Sequence, residues 1–99
     1  MKVLDDCNDI MEFQKLKPEE QKILLNWILE NIRQIRSYNG RHTSYGMKHI
    51  FSSSEHGFYI VNGAFKGAMI ECGFKVKDRS ALNWVFNVSE KSPCFRRCR

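Results

Sequence analysis

Residues 73–89 read GFKVKDRSALNWVFNVS. Phe74 and Val76 alternate with Lys75 and Lys77. After Asp78-Arg79-Ser80-Ala81, a run of turn-forming character, Leu82, Trp84, Phe86 and Val88 alternate with Asn83, Val85 and Asn87. A period of two places every second side chain on one face, as in a half-buried strand. The stretch predicts a β-hairpin over 74–88, with Leu82, Trp84, Phe86 and Val88 turned inward.

Just before Gly73 the period is that of a helix. Phe65, Ala68, Met69 and Cys72 recur at i, i+3, i+4 and i+7, which predicts a helix over 63–72. Asn62 is placed to cap it and Gly73 to end it. Gly63 and Gly67, four residues apart, mark a face where a second backbone approaches, either a packing partner or a bound phosphate or partner chain. Phe58-Tyr59-Ile60-Val61 reads as a short β-type run, preceded by the polar turn of Ser52, Ser53, Ser54 and Gly57. A further helix is expected over 44–52, capped by Thr43 or Ser44, with Met47, Ile50 and Phe51 inward and Lys48 exposed. The first long helix is expected over 18–36. Pro18, Glu19 and Glu20 suit its start, Arg33 and Arg36 suit its end, and Leu24, Ile28, Ile32 and Ile35 form its apolar stripe. Ser37-Tyr38-Asn39-Gly40 follows as a turn.

Three regions result. Residues 1–17 form an acidic N-terminal segment, in which Ile10, Met11, Phe13 and Leu16 could dock as a short helix. Residues 18–89 form the helical and hairpin domain, and residues 90–99 a basic tail. The expected class is α+β: a three-helix, helix-turn-helix-like core with a C-terminal β-hairpin, in the manner of a winged helix.

The chain has 99 residues, one domain's worth, and no apolar run long enough to span a membrane. Acidic residues follow Met1 almost at once, so no signal-peptide h-region is read and a reducing cytoplasmic setting is expected. Cys7, Cys72, Cys94 and Cys98 include only one close pair, too few for a zinc ribbon, so they read as thiols with Cys72 in the core. His42, His49 and His56 fall seven apart, but the serine run and Gly57 interrupt any helix through them. No metal site and no cofactor are expected. Ser44 near His42 or His49 is the nearest approach to a catalytic pairing, without a glycine elbow, so a non-enzymatic protein is expected.

The net charge of +5 is unevenly spread. Residues 1–20 hold three basic and six acidic residues, net −3; residues 21–99 hold thirteen and five, net +8. A basic body attracts polyanions, and nucleic acid is the expected partner. In the winged arrangement the helix after Asn62 enters the major groove, with Asn62 and Lys66 facing base edges. Lys75, Lys77 and Arg79 on the hairpin would meet phosphates, and Arg41, Ser44, Tyr45 and Lys48 would grip the backbone. The rival expectation is a nucleoprotein partner, with Tyr45, His49 and Tyr59 as aromatic anchors. No membrane partner is expected. The oligomeric state is left open, a dimer included.

Three strings carry a resemblance: Thr43-Ser44-Tyr45-Gly46-Met47-Lys48-His49, Asn62-Gly63-Ala64-Phe65-Lys66-Gly67-Ala68-Met69, and Leu82-Asn83-Trp84-Val85-Phe86-Asn87-Val88-Ser89. Over about Tyr38 to Pro93 the chain resembles a family of short proteins carried by prophages and conjugative elements of Gram-positive bacteria. More loosely, Phe65-Lys66, Gly73-Phe74 and Asn83-Trp84 are similar in order to the winged-helix end of phage primases. The family brings no chemistry that transfers residue by residue. The resemblance implies a mobile-element setting, and with it either DNA regulation or inhibition of a host defence effector such as an RNA-guided nuclease, as anti-CRISPR proteins do.

Overall fold

Asn62–Glu71 is a helix enclosed on every side: residues 62–69 are all buried. Asn62 and Lys66 are its only polar residues over that span. A helix without a broad polar face belongs inside a protein, and this one is the axis of the core. The computed structural model describes residues 7–96. In chain order its elements are a 3-10 helix Ile10–Lys15, α1 Pro18–Asn31, α2 Ser44–Ser52, α3 Asn62–Glu71 and α4 Pro93–Arg96. Asp5 and Asp6 of the acidic segment, and Arg97, Cys98 and Arg99 of the tail, lie outside the described residues.

The glycines of α3 face the chain's own N-terminal segment. Gly63 N–H donates to Cys7 O at 2.6 Å, and a Cβ on Gly63 would overlap the Asp9 carbonyl oxygen. A Cβ on Gly67 would lie 2.5 Å from Ile10 O and 2.7 Å from Phe13 Cβ. The close backbone approach marked by these two glycines is therefore filled from within. Asp9 starts the 3-10 helix, its carboxylate accepting from Met11 N–H at 2.9 Å. Phe13 is 3% exposed against α3, a burial worth about 1.5–3 kcal/mol.

α1 begins as its sequence dictates, with Pro18 in the first turn and Glu20 Oε1 accepting from Lys17 N–H at 3.1 Å. Leu24 and Ile28 are fully buried. The helix ends at Asn31 rather than Arg36: Ile32 is already extended at φ −125°, ψ 124°. β-branched Ile32 and Ile35 lose little by leaving a helix, and the extended backbone finds partners in the C-terminal segment. α2 is capped by Thr43, whose Oγ1 accepts from Gly46 N–H at 3.4 Å, and it buries Met47 and Phe51 completely. Phe51 makes edge-to-face contacts with Trp27 and Phe58, at centroid distances of 5.4 and 5.1 Å. α3 stops at Gly73, whose φ of +91° suits only glycine, with Gly73 N–H donating to Ile70 O and Phe74 N–H to Met69 O.

The expected winged-helix class does not hold. Among the described residues the protein is mostly helical, with isolated antiparallel bridges and no sheet: Gln34 with Val88, Thr43 with Val85, and Val76 with Phe86. The stretch 84–88 is extended, but it divides its backbone among several segments instead of pairing down one hairpin. Trp84 O and Phe86 O accept from Ser44 and Asn39 N–H, at 2.8 and 3.0 Å. Val85 O and Asn87 O accept from Lys77 and Ile35 N–H, at 2.9 and 3.0 Å. The Asn87 side chain replaces a further rung, with Oδ1 accepting from Lys75 N–H at 2.7 Å and Nδ2 donating to Ile35 O at 2.9 Å. Trp84, Phe86 and Val88 are buried as their alternation predicts, whereas Leu82 is 64% exposed. The run 58–61 forms no strand, and Asn62 is the first residue of α3, with Val61 in the cap position.

Candidate functional site

Tyr45, Lys48 and His49 stand at i, i+3 and i+4 on α2, so one helical face carries all three. The Tyr45 and His49 rings meet edge-on at 4.5 Å. Lys48, expected at the surface, is 5% exposed. Its Nζ sits 5.3 Å from the Tyr45 ring centre and 5.2 Å from that of Tyr59, which reaches over from the extended segment before α3. The alkyl stem is covered and the ammonium rests between two ring faces, a cation–π arrangement. Burial holds the Lys48 pKa below the usual lysine range. The two tyrosines remain open, Tyr45 at 51% and Tyr59 at 76% exposure.

These side chains border a cleft of about 420 Å³, whose lining also includes three amides, Asn8, Asn62 and Asn83. Asn62 is the hub. Its Nδ2 donates to Asn8 Oδ1 at 2.9 Å, to Asn83 Oδ1 at 3.0 Å and to Leu82 O at 3.3 Å. Its own Oδ1 is buried with no hydrogen-bond partner among the described residues. One α3 amide thereby ties the N-terminal segment to the start of the extended C-terminal stretch.

The other residues singled out from sequence are dispersed. Ser44 is fully buried and structural: its Oγ accepts from Trp84 N–H at 3.0 Å, beside the main-chain bond between the same two residues. Lys66 is 3% exposed and lies against Trp84, its Nζ 4.6 Å from the ring centre. It is turned into the core, so α3 presents neither Asn62 nor Lys66 as an open reading face. Arg79 sits near Trp84, its Cζ 5.5 Å from the ring, while its carbonyl accepts from Trp84 Nε1–H at 3.1 Å. Lys75 and Lys77 are exposed beside it along the chain. Arg41 is exposed on the loop that carries His42, close enough to contribute to the depressed pKa of Glu90. That depression comes first from the Asn39 amide and then from His42, which reaches both Glu90 oxygens at 3.0 and 3.1 Å.

The structure thus gathers Tyr45, Lys48 and Asn62 into one cleft, places Lys66 and Arg79 around Trp84, and leaves Arg41, Lys75 and Lys77 outside. Asn83 joins the cleft although its alternation with the inward residues of 82–88 says only that it faces outward, and nothing in the sequence marks Asn8. Among the described residues no three His, Cys, Asp or Glu side chains gather closely enough to hold a metal ion. None of the described helices is long and apolar enough to cross a membrane. No protein-family model, curated protein sequence or solved structure matches the chain.

Proposed function

We propose that this chain is a small, non-enzymatic nucleic-acid-binding protein of a mobile element that engages unpaired nucleotides at the Tyr45–Lys48–Tyr59 cleft. The observation that carries this reading is a pair of open tyrosine rings flanking a sheltered lysine ammonium in a cleft also lined by the amides of Asn8 and Asn83. Exposed aromatic faces stack on bases of any sequence, with roughly 1–3 kcal/mol per stacked base. The ammonium gives the cleft a positive potential without being drawn into solvent. Side-chain amides are suited to the donor and acceptor edges of a base. The exposed Lys75, Lys77 and Arg79 supply further sites for backbone phosphates. A duplex groove reader is disfavoured by the burial of α3, so single-stranded or looped nucleic acid replaces the expected duplex.

Fluorescence anisotropy with labelled single strands and with duplex, each at two salt concentrations, tests this. Single strands are expected to bind more tightly, with affinity that falls as salt rises, and Tyr45→Ala with Tyr59→Ala should lower it by about tenfold or more. Absence of binding to either form at low salt overturns the reading. The same two tyrosines also suit a protein interface, where tyrosine is a frequent anchor. A host-defence nucleoprotein is therefore the second reading. It predicts protection of phage or plasmid in cells carrying a targeting nuclease, persisting in variants that no longer bind free nucleic acid.

A further inference from the structure

Arg33 follows the end of α1, whereas Lys91 and Arg96 come from the last described segment of the chain. Hydrogen bonds across 59 residues bring them together. Arg33 N–H donates to Ser92 Oγ at 2.8 Å, and Arg33 O accepts from Ser89 N–H at 2.8 Å. Residues 89–92 are themselves a tied turn: Ser92 Oγ–H donates to Ser89 O at 2.7 Å, and Lys91 N–H to Ser89 Oγ at 3.0 Å. The three cations line one concavity of about 440 Å³ that no carboxylate lines. All three are exposed, and none has an ion-pair partner among the described residues. Like charges held round one hollow repel one another, and a bound anion removes that repulsion.

A second observation concerns where the hollow leads. Asn31 lines it and also lines a neighbouring concavity of about 420 Å³, which it shares with Trp27 and His49. His49 in turn lines the tyrosine cleft. Two side chains thus join three hollows of similar size into a file, aromatic at one end and cationic at the other. A free polyphosphate or an acidic peptide would use only the cationic end. A nucleic-acid strand carries both bases and phosphates, and so matches the whole file.

Resting on the nucleic-acid reading above, we propose that Arg33, Lys91 and Arg96 form a backbone-phosphate subsite, and that the file from Tyr59 to Arg96 is a single track for one nucleic-acid strand. The track extends the cleft along the surface, so the chain should distinguish strands by length. The bonds that position Arg33 come from its backbone, and glutamine keeps them.

The test compares the wild type with the triple variant Arg33→Gln, Lys91→Gln, Arg96→Gln, after circular dichroism has shown both folded. The probes are oligothymidylates of about three and about ten nucleotides, below and within the ~4–16 nucleotides that small single-strand binders occupy. The wild type should bind the longer strand about tenfold or more tighter, and the triple variant should lose that advantage while binding the shorter strand within about twofold. The slope of log K against log salt for the longer strand should become shallower by about 2, three phosphates at roughly 0.7 each. A triple variant with the wild type's length dependence and slope overturns the track and leaves the cleft reading standing. An equal loss for both lengths makes the three cations a general field rather than a subsite, and also overturns it. A wild type that binds neither strand overturns both proposals.

Discussion

Replacing Gly67 by alanine sets two effects against each other. In an ordinary helix interior the change gains about 1 kcal/mol, because alanine loses less conformational freedom than glycine. Here the new methyl would lie 2.5 Å from Ile10 O and 2.7 Å from Phe13 Cβ. Carbon contacts sit at about 3.5–4.0 Å, so the 3-10 helix must move by roughly an ångström or leave α3 altogether. The obstacle includes backbone, which cannot rotate aside. Overpacking of this kind costs about 1–3 kcal/mol, and full detachment would return Phe13 to water at about 1.5–3 kcal/mol. Either route outweighs the gain in propensity. Net of that gain, Gly67→Ala should be less stable than wild type by up to about 2 kcal/mol. Gly46→Ala in α2 is the control, since a Cβ there meets nothing within 4 Å. It should be unchanged or more stable by up to ~1 kcal/mol. Urea unfolding followed by circular dichroism measures both, and amide exchange at Leu16, whose N–H donates to Phe13 O at 3.1 Å, reports docking of the N-terminal segment. A Gly67→Ala protein as stable as Gly46→Ala, with Leu16 equally protected, would refute the account of why these glycines are present.

Three further outcomes are expected. Trp84→Ala should lower stability by about 3–5 kcal/mol in chemical denaturation, because it empties a buried site packed against Phe86, Lys66 and Arg79. Asn87→Leu should cost about 2 kcal/mol or more by stranding the Lys75 N–H and the Ile35 carbonyl, while Asn83→Ala, on the exposed edge of the same stretch, should cost much less in the same assay. Burial, aided by neighbouring Glu71, pushes the Cys72 thiol up to about 11. The unfolded chain then releases this proton at lower pH than the folded one, so the stability due to the protonated thiol is complete below the ordinary thiol range and declines as pH rises toward 11. Unfolding measured across that window should show a steeper alkaline decline for wild type than for Cys72→Ala.

The helices were readable where local chemistry and burial agree. Thr43 followed by Met47 and Phe51 bounds α2, and Gly73 ends α3, because a hydroxyl cap and a left-handed glycine act within a turn of the helix they terminate. The end of α1 was not readable, since Ile32 and Ile35 continue a helical stripe as well as they begin an extended one. Alternation over 82–88 correctly reports that Trp84, Phe86 and Val88 share a buried face. It carries no information on pairing partners, and those proved to be residues 34–44 as much as 75–77. The site suffered from reading charge as exposure. Lys48 and Lys66 have stems long enough to be buried against aromatic rings. The warning was present in α3 itself, where Lys66 is the only charged residue from Asn62 to Ile70, too little to make a solvent face. Arg33, Lys91 and Arg96 meet only through bonds that span most of the chain, beyond the reach of any local pattern.

The shared bonding of residues 84–92 bears on how the protein is made. Ser44 must wait 40 residues for Trp84, Ile35 waits 52 for Asn87, and Arg33 waits 59 for Ser92. During translation α1, α2 and α3 leave the ribosome before the segment that satisfies the backbone between them has been synthesised. The nascent chain can form helical turns, but the core of Phe51, Phe65 and Phe86 closes only once residues 84–92 have emerged. Folding is then one late event rather than a stepwise one. A message truncated before the codon for Trp84 would yield an open chain, fit for proteolysis rather than for partial activity.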